Sequence, residues 1–331
     1  MSYVYLTEEN VKLQKRGGRY VVGRNLEVVF EVPEESMEGL VLIGNIQVSS
    51  EAMTSLLKNG IPTTWLSHTG KFYGRLDSTS HVDVFRQRQQ IVMHESDFYL
   101  ALSRKIITAK AYNQVTVLRR YNRRLKSSKV ESAIKTILMY IKHIDFADST
   151  EKLMGYEGLI ARCYFSALNE MMPEGFEFSK RSKQPPLDPF NSMLSFGYTL
   201  LMYEIYTAVQ NHGLNPYFGF MHKLKNHHPA LVSDLMEEWR AVIVDSMALS
   251  LIHHHEILAE HFYINEETSG VYMNREGRAI LINAYEKRMR TKNQYLDYDG
   301  TFRDSLNFQA GVFLQALMAE EAEVYSPIRV R

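Results

Sequence analysis

The 331-residue chain has a single cysteine, Cys163. One thiol can build neither an internal disulfide nor a cysteine zinc site, and it points to a reducing compartment. A cytoplasmic protein is expected. No stretch approaches the roughly 18 consecutive apolar residues of a membrane-spanning helix. The opening MSYVYLTEENVKLQKRGG lacks a basic segment followed by an apolar one, so no secretory signal is expected. Proline is scarce, at 9, and four of the nine fall in one irregular segment, 173–190. A net charge is missing as well, with 38 Lys and Arg against 38 Asp and Glu. Taken whole, that balance argues against a nucleic-acid binder.

What is present is ordinary for a soluble globular protein: 45% hydrophobic and 23% charged residues. The length exceeds what one hydrophobic core usually serves, so two domains are expected. The charge is not evenly spread. Residues 104–143 carry eleven basic side chains and one acid, Glu131, a net of +10. Residues 144–331 carry 17 basic and 25 acidic side chains, a net of −8.

The first part reads as strands. YVYL, VKLQ, RYVVG, EVVFEV and GLVLIG are short, rich in Val, Tyr, Phe and Leu, and bounded by Gly, Asn or Pro. SSEAMTSLLKN (49–59) predicts one helix, with Ser49 or Ser50 as its cap and Asn59-Gly60 as its stop. PTTWLS and KFYGRL predict two more strands. From about residue 82 the apolar spacing becomes three and four, which is helical, and it continues to about 320. The expected architecture is α+β. A small β-rich, sandwich-like domain over 1–80 precedes an all-helical domain over 81–331.

Three acid or histidine positions stand out. Glu157 lies between Gly155 and Gly158 at what reads as a helix start, where complementing the helix dipole also accounts for it. His222 lies in NPYFGFMHKLKNHHPA, a connection between helices marked by Gly and Pro. Asp234 sits beside an apolar stripe of Leu231, Leu235, Val242 and Leu249. A carboxylate there needs a partner, and a bound cation is one. Glu237, Glu238 and Asp245 are assigned to a solvated face. A Glu, His and Asp set without cysteine suits Mg²⁺ or Mn²⁺ rather than structural zinc. The tract His253–His255 resembles a metal tract, but adjacent helical residues point in different directions, so surface or packing roles are assigned.

The basic run includes Arg119, Arg120, Arg123 and Arg124, with Tyr112 and Tyr121 interleaved. Ordinary surface helices alternate charge. A one-signed run therefore points to a polyanion such as DNA, or to pairing with the acidic C-terminal part.

The ordered blocks GYEGLIARCYFSALN, PPLDPFNSMLSFGYTLL, GFMHK and LVSDLMEEWR resemble the spacer-acquisition integrase family of CRISPR-associated proteins. GNIQVSSEAMTSLLKNGIPTTWLSHTGKFYGRL and the closing EEAEVYSPIRVR extend the likeness over almost the whole chain. The resemblance implies a metal site of Glu157, His222 and Asp234. The family often has a further acid just before that aspartate, where this chain reads ALVS. It implies a metal-dependent DNA endonuclease and strand transferase that inserts short foreign DNA at the repeat of a CRISPR array. Asn191, Tyr164 and Tyr198 lie in matched blocks. Asn191 joins the four arginines as an expected DNA contact, and packing is assigned to the tyrosines. The resemblance also implies a homodimer formed through the β-rich domains, and a complex with the second CRISPR-associated protein. The alternatives are an inactive DNA-binding scaffold and a general nuclease of branched DNA.

Overall fold

The apolar run Leu40–Ile43 is buried at every position, as befits a strand with neighbours on both sides. In the computed structural model it forms the centre of a sheet. The structure describes residues 2–25, 27–296 and 298–330. The chain divides into two units, Met1–Val82 and Asp83–Arg331.

Among the described residues the first unit holds eight strands, one α-helix and a 3₁₀ turn at Glu34–Ser36. They are β1 (Ser2–Leu6), β2 (Lys12–Arg16), β3 (Arg19–Arg24), β4 (Glu27–Pro33), β5 (Met37–Ile43), β6 (Gln47–Val48), α1 (Ser50–Lys58), β7 (Thr63–Leu66) and β8 (Phe72–Leu76). One sheet has the order β1-β5-β7-β8 and the other β4-β3-β2-β6. β5 pairs in parallel with both β1 and β7. Leu13, Tyr20, Val22, Leu40, Leu42 and Leu56 meet in one core drawn from both sheets and α1. Ser49 caps α1 by accepting a hydrogen bond from Ala52 N at 3.2 Å. Gly60 follows the helix in the left-handed region at φ 63°, which only glycine adopts without cost.

The second unit is mainly helical. It contains α2 (Val84–Val92), α3 (Asp97–Leu125), α4 (Ser128–Ile144), α5 (Thr150–Asn169), α6 (Pro189–Asn211), α7 (Ala230–Met236) and α8 (Ser246–His253). After these come β9 (Phe262–Ile264), β10 (Val271–Met273), α9 (Arg275–Met289), β11 (Lys292–Leu296), β12 (Tyr298–Thr301) and α10 (Phe302–Ala319). The all-helical expectation is therefore corrected. Two short antiparallel hairpins, β9–β10 and β11–β12, interrupt the helices.

Two further corrections bear on the site. Glu157 does not start a helix. α5 starts at Thr150, capped by Ser149, and Gly155 and Gly158 lie within it with open space where a Cβ would stand. The stretch LVSDLMEEWRAVIVDSMALSLI is not one regular helix. α7 ends at Met236, and a π-helical segment spans Arg240–Asp245 before α8. Such widened turns shift the register of every following side chain.

Candidate active site

Asp234 is fully buried, and its carboxylate is occupied within the chain. Oδ2 accepts from the backbone N–H of Phe220 at 2.6 Å and of Met221 at 3.0 Å. Oδ1 accepts from the His222 backbone N–H at 3.0 Å and from His222 Nδ1 at 2.6 Å. Three backbone amides and an imidazole thus surround the Asp234 carboxylate. Gly219 makes this possible, because a Cβ there would stand 2.4 Å from Asp234 Oδ2. A carboxylate only accepts, so the imidazole proton sits on Nδ1 and Nε2 is left for another partner. Burial works against a charged His222, but the Asp234 hydrogen bond and the charges of Asp234 and Glu237 outweigh it and raise its pKa.

Nε2 of His222 lies 3.8 Å from Oε1 of Glu237. Glu237 was expected in solvent and is buried instead. Glu238 and Asp245 are buried too. The expectation of a solvated face fails here because every residue from 230 to 249 except Arg240 is buried, so this stretch has no solvent side. Oε1 of Glu237 pairs with Arg240 Nε at 3.1 Å, and Oε2 with Lys110 Nζ at 2.6 Å. Burial would raise the Glu237 pKa, but Arg240, Lys110 and His222 hold it at about 2. Lys110 also donates to Glu157 Oε1. Thus α3, α5 and the residues after α7 meet through one buried ammonium. Burial opposes its charge, yet Glu237 and then Glu157 overcome that and raise its pKa.

These groups line a cavity of about 570 Å³. Arg162, Arg181, Lys183 and Arg240 add positive charge to its wall. Guanidinium carbons of Arg240 and Arg181 lie 4.7 and 5.4 Å from the centre of the Tyr198 ring. Tyr198 and Tyr164 donate to Asp245 at 2.5 and 2.9 Å, and of the two phenols only Tyr198 lines the cavity. Burial, only partly offset by these bonds, pushes Asp245 up to about 6. The structure thus joins Glu157 and His222 to Glu237 and Lys110, and sets Asp234 behind the histidine. Among the described residues, no three acid, His or Cys side chains stand close enough to grip one ion as they are. Lys110 holds the two glutamates to itself.

The other expectations divide. Asn191, expected as a DNA contact, is buried. Its Oδ1 accepts from Arg181 and Ser182, and its Nδ2 donates to Lys180 O and Asp188 Oδ2. It fastens the 180–182 segment beside the cavity. Arg119, Arg120, Arg123 and Arg124 are exposed at the C-terminal end of α3. Arg119, Arg123 and Lys126 line a groove with Ser127 and Ser128. The basic run is not one surface, however. Arg104 donates to Ala147 O, Lys105 pairs with Glu323, and Lys110 is internal. Of the histidine tract, only His253 lies in α8, and it stacks on Tyr121 at 5.0 Å. Sequence reasoning missed Lys110 and Glu237. The signal was available in both, a lone lysine amid the apolar AKAY of a helix and an acid three residues after Asp234.

Comparison with known proteins follows the same lines. The family described as CRISPR associated protein Cas1 matches residues 4–287. A relative named CRISPR-associated endonuclease Cas1, from Mycobacterium tuberculosis, is 31% identical over 325 residues, which is 96% of this chain and 95% of the relative. A chain of a Cas6-RT-Cas1–Cas2 complex matches with a TM-score of 0.86 at 24% identity, covering 100% of this chain and 36% of its own length. A casposase bound to integration product matches with a TM-score of 0.85 at 21% identity, covering 97% of this chain and 92% of its own. These two structures share the fold. No helix among the described residues is long and apolar enough to cross a membrane. The chain belongs to the Cas1 family of CRISPR-associated proteins.

Proposed function

We propose that the protein is a divalent-metal-dependent DNA endonuclease and strand transferase of CRISPR adaptation. One observation carries this reading. Glu157 and Glu237 converge on a single cation, the Lys110 ammonium, with Nε2 of His222 3.8 Å from Glu237 Oε1. Two carboxylates and an imidazole form a donor set suited to Mg²⁺ or Mn²⁺. We therefore assign the metal to Glu157, His222 and Glu237. Asp234, the ligand expected from the sequence, becomes the residue that orients His222. A divalent cation there supplies charge neutralisation at a phosphodiester.

The remaining work belongs to the chain. Asp234 fixes the tautomer and direction of His222. Arg181, Lys183 and Arg240 offer the cavity wall to phosphate oxygens. Attack by a DNA 3′-hydroxyl makes the reaction strand transfer, and attack by water makes it cleavage. The casposase neighbour, bound to an integration product, supports the first, and the relative's name supports the second. The substrates are then a short foreign DNA and a CRISPR repeat, with the second CRISPR-associated protein as partner, as in the Cas1–Cas2 neighbour. A homodimer through the sandwich-like 1–80 domain fits the exposed Val28, Val29 and Phe30 on the edge strand β4.

The test is strand transfer of a labelled duplex into a repeat-containing plasmid, with Mn²⁺ or Mg²⁺. Wild-type protein should join the DNAs, and EDTA should stop it. Glu157→Ala and His222→Ala should each be inactive while remaining folded. Full activity in EDTA, or in Glu157→Ala, refutes the reading.

A further inference from the structure

Lys110 is a lysine in the middle of a 29-residue helix, only 7% exposed, among buried Ala109, Ala111 and Asn113. Burying an ammonium is costly unless it is paired. Here it is paired twice, with Glu157 from α5 and Glu237 from beyond α7. Arg240 supplies a second cation to Glu237. The two carboxylates are thus matched by two positive charges. The group is neutral by itself, and each glutamate already has a partner.

We infer that Lys110 is a positioning residue that serves as a built-in, displaceable counter-ion. It holds Glu157 and Glu237 facing each other when no divalent cation is present, and it must yield its place when one binds. This inference rests on the metal reading proposed above. The physical argument is charge. A dication entering between carboxylates already balanced by an ammonium and a guanidinium meets like-charge repulsion, which moving the ammonium away relieves. Lysine suits the task, because its ammonium is a compact point charge on a flexible four-carbon stem. A guanidinium in its fixed planar fork would swing aside less readily. Lys110 therefore keeps the two glutamates assembled and lowers the affinity of the site for metal.

Mn²⁺ alone is the probe, titrated calorimetrically into wild-type protein, Lys110→Met and Lys110→Arg. Lys110→Met should bind Mn²⁺ about tenfold or more tightly than wild type, since a competing charge is gone. Its melting temperature without metal should fall, and Mn²⁺ should raise it by more than in wild type. Lys110→Arg, which keeps the charge, should not bind more tightly than wild type. Unchanged or weaker binding by Lys110→Met, with normal binding by wild type, overturns the inference alone. Absence of Mn²⁺ binding in all three proteins overturns the metal reading and this inference with it.

A second measurement needs no variant, in case Lys110→Met does not fold. Wild-type protein is treated with an amine-acetylating reagent with and without Mn²⁺, and modified peptides are quantified by mass spectrometry. Acetylation of Lys110 should rise several-fold with Mn²⁺, while that of exposed Lys129 stays constant. No rise at Lys110 in protein shown to bind Mn²⁺ overturns the displacement.

Discussion

Asp234 Oδ1 accepts two hydrogen bonds from one residue, the backbone N–H and the Nδ1–H of His222. The histidine is held at both ends, and its Nε2 is aimed toward Glu237. This relationship separates two roles that a sequence block runs together. Asp234→Asn should weaken Mn²⁺ binding about 10–100-fold, the usual cost of losing a partner behind a ligand. Excess Mn²⁺ should then restore part of the cleavage activity. Glu237→Gln should not be rescued at any Mn²⁺ concentration. Rescue of the second variant rather than the first, in a cleavage assay against metal concentration, would reverse the assignment.

The exposed end of α3 should act by charge alone. Arg123→Glu with Arg124→Glu should flatten the slope of log K against log salt by about two, at about −0.9 per phosphate contact. Sequence preference should survive, because phosphate contacts position DNA without reading it. Both side chains are exposed, so the melting temperature should stay within about 1 °C of wild type, as surface changes usually cost little. A lower melting temperature with an unchanged salt slope would mean that the pair serves folding or assembly instead.

Glu238 should make stability depend on pH. Burial pushes its pKa up to about 8, although Tyr325 and the Ile328 backbone N–H at 2.6 Å donate to it. The folded protein therefore keeps a proton that the unfolded chain releases above its ordinary value of 4.5. This contribution is fully present below pH 4.5 and is lost as pH rises toward 8. Glu238→Gln should remove that component. The difference in unfolding free energy between the two proteins should change by up to about 1.4 kcal/mol per pH unit across this window. Parallel profiles in denaturant titrations from pH 5 to 8 would contradict it.

The tract His253–His255 should be dispensable for chemistry. His253 stacks on Tyr121, and His254 bonds Ser250 at 3.1 Å. A triple alanine variant should keep strand transfer and lose about 1 kcal/mol of stability from the lost ring contact. An inactive variant with an unchanged melting temperature would reveal a functional site there.

Local pattern alone determined a good part of this protein. The short strands rich in Val, Tyr and Leu, the Ser49-capped α1 and the long helical stretches follow from residue order, because each is decided by near neighbours. His222 was legible as a loop residue between two helices, whereas Glu157 was read at a helix start and lies inside α5. The likeness of the ordered blocks to a known family came from the sequence as well. What the tertiary structure decided was the fate of the charges. Asp234 and Glu237 stand three residues apart and are both acidic, yet one is spent on the amides of Phe220, Met221 and His222 while the other faces Lys110 and the cavity. Helical periodicity could not separate them, because every residue from 230 to 249 except Arg240 is buried and no face is left to mark a solvent side. Nor could it place Lys110, which is 47 residues from Glu157 in sequence and read as one more member of a basic run. A buried ammonium is permitted only where carboxylates from other helices come to meet it, and that meeting exists only in the folded chain.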